Sequence, residues 1–248
     1  MASLLVGCGG GATGGSGGGS TSTATGTGGA GGAGTTATSS STGSGGPSLA
    51  CANMGKAITA LPACTSPAAK AITVPKGCEP AIDGVLYDDE WSDGACFNVA
   101  AGDLVVTMKY ANDALYLGMS GPPTCGCGMG FYFSPQNGKS FAISVVDDPF
   151  NTDGDRSDFT LDASGLKPVA NDMTIKVRGP APMPNPVSYE WQIPYAVLGI
   201  QKGSADSFKM AVVHSSATWP EGLSQMNGQV TYADDEPTWA VISAPTWD

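Results

Sequence analysis

The chain has 248 residues, 22 acidic side chains against 11 basic ones, and a net charge of −11 at neutral pH. That balance argues against a nucleic-acid partner, because phosphate backbones are held by clustered Lys and Arg, and it disfavours direct docking on anionic lipid. No charged residue precedes Lys56 and no acidic one precedes Glu79, so the acidity belongs to the C-terminal part.

At the start of the chain, Leu5-Val6-Gly7-Cys8 resembles the lipobox of bacterial lipoproteins, whose cysteine is diacylated and becomes the mature N-terminus. The resemblance implies lipid attachment at Cys8 and a place in the bacterial cell envelope. Gly9, rather than Asp, follows the cysteine, which favours the outer membrane or cell surface; without acylation the protein would simply be secreted. Residues 1–8 are shorter than a charged n-region plus an apolar h-region of about 7–15 residues, so they read as a truncated signal whose start lies upstream. The alternative is an incidental cysteine in a Gly-rich tail. No stretch reaches the roughly 20 consecutive apolar residues of a membrane-spanning helix.

Residues 9–47 are almost entirely Gly, Ser, Thr and Ala. Such a segment cannot bury enough surface to offset its ordering entropy, so it is expected to be a disordered linker with a mean reach of about 35 Å. A Cys-containing neck, 48–76, follows, and then one domain, 77–248, long enough for a single hydrophobic core.

Besides Cys8 there are six cysteines, Cys51, Cys64, Cys78, Cys96, Cys125 and Cys127. An even number in an exported chain reads as disulfides, with fifteen possible connectivities. Cys125-Gly126-Cys127 could instead share a soft metal ion, but no second Cys pair or His cluster supports that.

The domain reads as all-β. Leu104, Val106, Met108 and Tyr110 alternate with Thr107 and Lys109, the period of a half-buried strand. Asn112-Asp113 then breaks the run before a second alternating stretch, 114–119, so the two read as a hairpin. Further strands are expected over 130–133, 141–146, 158–161, 173–177, 187–193, 208–214 and 238–243, and one helical turn over 194–198, where Pro194 suits a first helical position. Many short strands separated by turn residues indicate a sandwich or barrel.

Four segments carry a family resemblance. Ile82-Asp83-Gly84 leading to Glu90-Trp91, the Asp113-Ala114-Leu115-Tyr116 hairpin, Glu190-Trp191-Gln192-Ile193-Pro194 with Leu198-Gly199, and Thr238-Trp239-Ala240-Val241-Ile242 are similar, in order, to carbohydrate-binding module family 9 domains. The resemblance implies an antiparallel, jelly-roll-like β-sandwich of a wider group that includes the DOMON domains, and carbohydrate as the ligand. It places Trp91, Trp191 and Trp239 in structural motifs, leaving Trp219 and Trp247.

A sugar site needs a flat aromatic platform and a few fixed polar groups. Trp219, in a turn-rich loop, is the expected platform, with Tyr132 and Tyr232 as second faces. Arg156, Glu90 and Gln225 are hydrogen-bonding candidates. The alternation of Phe131, Tyr132 and Phe133 puts Tyr132 on the face opposite its neighbours.

Oxygen ligands spaced around Gly154, namely Asn151, Asp153, Asp155 and Asp158, suggest calcium. The alternative is an acidic hairpin loop with Arg156 neutralising a neighbour. No pair of carboxylates is placed for glycoside hydrolysis, and the single His214 has no nucleophile motif beside it. The leading expectation is a non-catalytic, monomeric carbohydrate-binding lipoprotein. The alternatives are a structural or adhesive surface lipoprotein, and a heme b module drawing axial ligands from Met108, Lys109, Met119 or Met129.

Overall fold

The computed structural model describes residues 50–51, 55–64, 70–99, 104–121, 129–146, 155–162, 164–179, 187–214, 217–223, 225–226, 229–230 and 236–248. Cys8, the 9–47 segment, Cys125, Cys127, Asn151, Asp153 and Tyr232 lie outside the described residues, as do the side chains of Asp155 and Gln225.

Two sheets face each other. The first is ordered β2 (Ala95–Val99), β3 (Leu104–Ala111), β4 (Ala114–Gly121), β10 (Val187–Pro194), β9 (Lys176–Arg178), antiparallel throughout. The second is ordered β1 (Ala71–Thr73), β15 (Ala240–Ser243), β11 (Ser207–His214), β5 (Met129–Pro135), β6 (Phe141–Val146), β7 (Asp155–Asp162), β8 (Gly165–Val169), with β12 (Ala217–Trp219) also on β11. Only its β1–β15 edge is parallel. Gln225–Met226 (β13) and Gln229–Val230 (β14) form a separate small hairpin. Of the sandwich or barrel that the strand pattern allows, the fold is the sandwich that the family resemblance implies.

Most strands of the two sheets supply one face to the shared core. Val106, Met108, Leu115, Leu117, Tyr189 and Trp191 meet Phe131, Phe133, Phe208, Met210 and Ile242 in one cluster. The β3–β4 turn needs positive φ at both central residues if it is to match the strand twist. Asn112 (φ 43°) and Asp113 (φ 65°) supply them, as the short polar side chains of Asn and Asp tolerate that region.

Several local expectations are revised. Residues 195–199 form a turn rather than a helix, and the only α-helix among the described residues is the single turn Asp88–Trp91. The strand expected from 173 starts only at Lys176, because residues 173–174 turn as Asp172 Oδ1 accepts the Thr174 amide at 2.8 Å and its hydroxyl at 2.7 Å. The last strand begins at Ala240, after a 3-10 turn over Glu236–Thr238. β1, β2, β8 and β12 carry too few apolar alternations to be seen in the sequence; pairing with a neighbour, not local pattern, makes them strands.

Both outer faces are also covered. On the second sheet Tyr132, Phe159, Val213 and Trp239 form one apolar cluster. On the first, Leu61, Leu86, Trp91, Val105 and Tyr116 form another. Lys109, expected on a solvated face, is wholly buried there.

Candidate functional site

Five of the residues that carry the family resemblance, Asp83, Gly84, Glu90, Trp91 and Glu190, meet on the outer face of the first sheet, whereas Trp191 and Ile193 enter the core and Trp239 lies on the second sheet. Glu190, wholly buried in β10, accepts the backbone N–H groups of Asp83 (3.1 Å) and Gly84 (2.8 Å) on Oε2, and the indole N–H of Trp91 on Oε1 (3.2 Å). Gly84 has φ +88°, a conformation in which a side chain is strained, and this is what aims two successive N–H groups at one oxygen. Gly118 leaves room for the Trp91 ring: a Cβ there would lie 2.8 Å from it. Glu90, also wholly buried, accepts the Ala81 amide on Oε1 at 2.6 Å, while its Oε2 has no hydrogen-bond partner.

The buried Lys109 ammonium donates to the Glu90 carbonyl, to Asp93 Oδ1 at 2.9 Å and to Cys78 Sγ at 3.3 Å, and lies 5.4 Å from the Trp91 ring centroid. Cys51 and Cys78 form a disulfide directly over it. This arrangement clasps the N-terminal segment to the sheet, so these signature residues have a structural role here.

Burial pushes the Glu90 carboxyl from 4.5 up to about 7, with the Ala81 hydrogen bond and the Lys109 charge acting in the opposite direction. It pushes Glu190 up to about 8, with the Gly84 hydrogen bond opposing and the Glu90 charge adding to the rise. Both folded-state values lie above the unfolded ones, so the folded protein holds protons that the unfolded chain has released. The resulting stability is fully present below about pH 4.5 and is lost as pH rises through about 7 to 8. Glu90→Gln keeps an acceptor for Ala81 and removes one titration. It is expected to flatten the fall in urea-unfolding stability between pH 5 and pH 9. A variant whose pH profile parallels the parent's would refute this assignment.

The expected sugar platform is not formed where the sequence placed it. Trp219 is 5% exposed and stacks on Phe97 with centroids 3.8 Å apart, inside the core between the sheets. Tyr132 does point away from Phe131 and Phe133, but it is buried edge-on against Trp239 at 6.0 Å. Trp247 is wholly buried as well. Glu90 is in the clasp described above. Trp219 and Trp247 are enclosed between the sheets, and Tyr132 and Glu90 are covered by a layer over an outer sheet face, which alternation within one strand cannot report.

Arg156 and Asp158, two residues apart on one side of β7, form a paired salt bridge, with Arg156 Nε donating to Asp158 Oδ1 at 2.7 Å and Nη2 to Oδ2. Asp158 Oδ2 also accepts the Asp172 amide at 2.7 Å. A carboxylate held this way by a guanidinium does not fit a calcium ligand, so Asp158 is removed from that set, and no cluster of three or more metal-ligating side chains occurs among the described residues. Met108, Met119 and Met129 fill the core while Lys109 faces the opposite side of β3, so a methionine and that lysine cannot grip one heme. His214, buried at the end of β11, stands opposite Met129 and Ala217.

Among the described residues a concavity forms elsewhere. A cleft of about 440 Å³ opens where the β5–β6 turn, β7, the end of β8 and the turn after β10 meet. Phe141, half-buried and stacked on Phe133 at 4.8 Å, Val169, Ile175 and Val197 give it an apolar wall. Asn137, Lys139, Asp158, Thr160 and Asp172 give it polar groups. Arg156 stiffens the site from behind by fixing Asp158 and donating to the carbonyls of Asp172 (3.0 Å) and Ile175 (2.7 Å). The Asp172 carboxyl is held below its ordinary range by the Thr174 hydroxyl and amide. Gly199 (φ +64°) lets the two turns touch, since a Cβ there would lie 3.1 Å from the Asn137 backbone. Among the described residues expected at a binding site, only Arg156 and Asp158 belong to this region. Phe141, Thr160 and Asp172 were missed because four separate segments supply the cleft; the short Asp172-x-Thr174 turn is its only local signal.

The fold defines the class: a two-sheet, predominantly antiparallel β-sandwich. The chain is similar to a carbohydrate-binding module family 9 domain of Caldicellulosiruptor kristjanssonii solved with cellotriose, at 16% identity and TM-score 0.39, over 72% of this chain and 95% of that one. It is similar to the same kind of module from that organism solved with glucose, at 16% identity and TM-score 0.39, over 72% of this chain and 97% of that one. No family model matches the chain, and no curated protein matches it.

Proposed function

We propose that the domain is a non-catalytic carbohydrate-binding module, carried at a bacterial cell surface by a lipid on Cys8 and a Gly/Ser/Thr leash. The observation that carries the binding reading is the cleft: its volume lies in the range of small-ligand sites, and it sets the Phe141 ring and aliphatic side chains against fixed carboxylates and amides. A sugar offers the matching surfaces, C–H faces for the apolar wall and hydroxyls for the acceptors. The same carboxylates argue against hydrolysis, which needs one acid kept protonated near neutrality. Asp158 is paired with Arg156 and Asp172 is held ionised, whereas the carboxyls pushed up to about 7 and about 8 among the described residues, Glu90 and Glu190, are in the clasp and not in the cleft.

Affinity electrophoresis through gels containing different polysaccharides tests this. The parent is expected to be retarded by at least one glycan. Phe141→Ala should weaken that retention about tenfold, or about 1.4 kcal/mol, while Trp219→Phe leaves it intact. No retardation in any gel would defeat the sugar reading. The support for Cys8 is its lipobox sequence. Behind a full signal peptide, labelling with a fatty-acid analogue should mark the parent and be lost in Cys8→Ser.

A second reading, a structural or adhesive surface lipoprotein without a sugar site, is favoured by one observation: all five tryptophans are buried. The electrophoresis separates the two readings.

A further inference from the structure

Residues 55–64 cross the outer face of the first sheet as a strap. The Ile58 amide donates to the Leu86 carbonyl at 2.8 Å, the Leu61 amide donates to Ser120 Oγ at 2.7 Å, and Leu61 is buried in the outer cluster with Leu86 and Trp91. Just upstream, the Cys51–Cys78 disulfide fixes the chain to the start of the domain. At the downstream end the strap reaches Cys64, whose carbonyl accepts a hydrogen bond from the Asn98 side chain on β2. In β2, Phe97 and Val99 enter the core, so Cys96 and Asn98 face outward toward the strap. The Cys64 and Cys96 thiols, both half-buried, are in hydrogen-bonding contact.

We propose that Cys64 and Cys96 are the site of a second disulfide, which bolts the strap at both ends over the buried Glu90, Trp91 and Lys109. Asn98 already holds the Cys64 backbone beside β2, so closure needs little movement of either strand. The chemistry is thiol–disulfide exchange with a small-molecule disulfide such as oxidised glutathione. One cysteine thiolate attacks a glutathione sulfur and expels one glutathione thiolate. The second cysteine thiolate then attacks the protein sulfur of the mixed disulfide, expels the other glutathione thiolate and forms the S–S bond. Two protein thiols are oxidised, one disulfide is reduced to two glutathiones, and the two cysteine protons leave to solvent or to the released thiolates. Burial, and then the neighbouring Cys96, push the Cys64 thiol up to about 12. Closure is therefore slow at neutral pH and faster in alkaline buffer.

A metal held by the two thiols is a weaker reading, since no third ligating side chain joins them among the described residues. Cys125 and Cys127 are the competing partners for disulfide formation.

The full chain is equilibrated with reduced and oxidised glutathione at mildly alkaline pH, alkylated, and digested without reduction by trypsin together with an Asp/Glu-specific protease. Mass spectrometry is expected to find a peptide pair joined through Cys64 and Cys96, lacking two hydrogens relative to the separate peptides. Cys64→Ser should expose one additional alkylatable thiol, at Cys96. Amide exchange at Ile58 and Leu61 should speed up about tenfold in Cys64→Ser/Cys96→Ser, as local opening becomes easier. Alkylation of both cysteines in the oxidised parent, or linkage of either to Cys125 or Cys127, would overturn the proposal. The peptide map of the parent decides the matter even if a serine variant fails to fold.

Discussion

Replacing Glu190 by alanine is expected to destabilise the domain by about 3–5 kcal/mol at pH 6. The Glu190 carboxyl group is the shared acceptor for the Asp83 and Gly84 amides and the Trp91 indole, and each buried donor left without an acceptor costs about 1–3 kcal/mol. The Asp83 amide, on an exposed residue, recovers part of that loss through water, which keeps the total below a simple sum, whereas Gly84 is buried. Trp91 cannot do so, because it is packed over Gly118.

The loss should shrink toward pH 9. There the parent must hold a charged carboxylate in a site that pushes its pKa up to about 8, a burden the variant lacks. Glu190→Gln keeps the acceptor for the amides but turns an N–H₂ group toward one side of the cluster, so it should cost less than alanine. Urea unfolding at the two pH values, followed by tryptophan fluorescence, measures both trends. A Glu190→Ala variant within about 0.5 kcal/mol of the parent, the usual range for surface substitutions, would show that the clasp does not hold the segment down.

Trp247→Ala is expected to cost about 3–5 kcal/mol as well, the range for deleting a large aromatic side chain from a core. The ring is wholly buried, with Tyr110, Tyr195 and Phe208 around it at centroid distances of 5.3, 5.5 and 6.2 Å. Its indole N–H donates to the Asp206 carbonyl at 2.7 Å, so truncation also strands that acceptor. Trp247→Phe retains most of the apolar contact but loses the hydrogen bond, and should cost about 1–2 kcal/mol. The adjacent Asp248, which meets Lys76 at 3.2 Å and Tyr110 at 3.1 Å, adds little of its own, since both ion-pair partners are partly exposed. Thermal and urea unfolding of the two variants check the ranking. Equal stabilities for Ala and Phe would mean that packing is not what anchors the end of the chain.

The local pattern was readable wherever a strand has one clear core face. Leu104, Val106, Met108 and Tyr110 alternate and all enter the core, and Asn112-Asp113 supplies the two positive φ values of the hairpin. The Ile82-Asp83-Gly84 and Glu90-Trp91 segments also stood out, as did Glu190, although nothing in the chain's order says that they meet. Their meeting is a long-range event: Gly84 and Glu190 are brought together only when β10 pairs with β4 and the helical turn at Asp88–Trp91 lies across that pair.

The sequence by itself determined the class of the domain, all-β and a sandwich or barrel, through the period of two in its apolar residues and the turn residues between the runs. It also marked the resemblance to a carbohydrate-binding family. Only the tertiary structure decided which aromatic side chains see solvent. Trp219, Trp247 and Tyr132 look available when each segment is considered alone, but Trp219 and Trp247 are enclosed between the sheets and Tyr132 is covered on an outer face, and distant segments supply both kinds of cover. The same holds for the cleft beside Phe141, which four segments build together, and for Cys64 and Cys96, which the strap and β2 bring into contact. Alternation reports which residues share a face; burial is set by what packs against it.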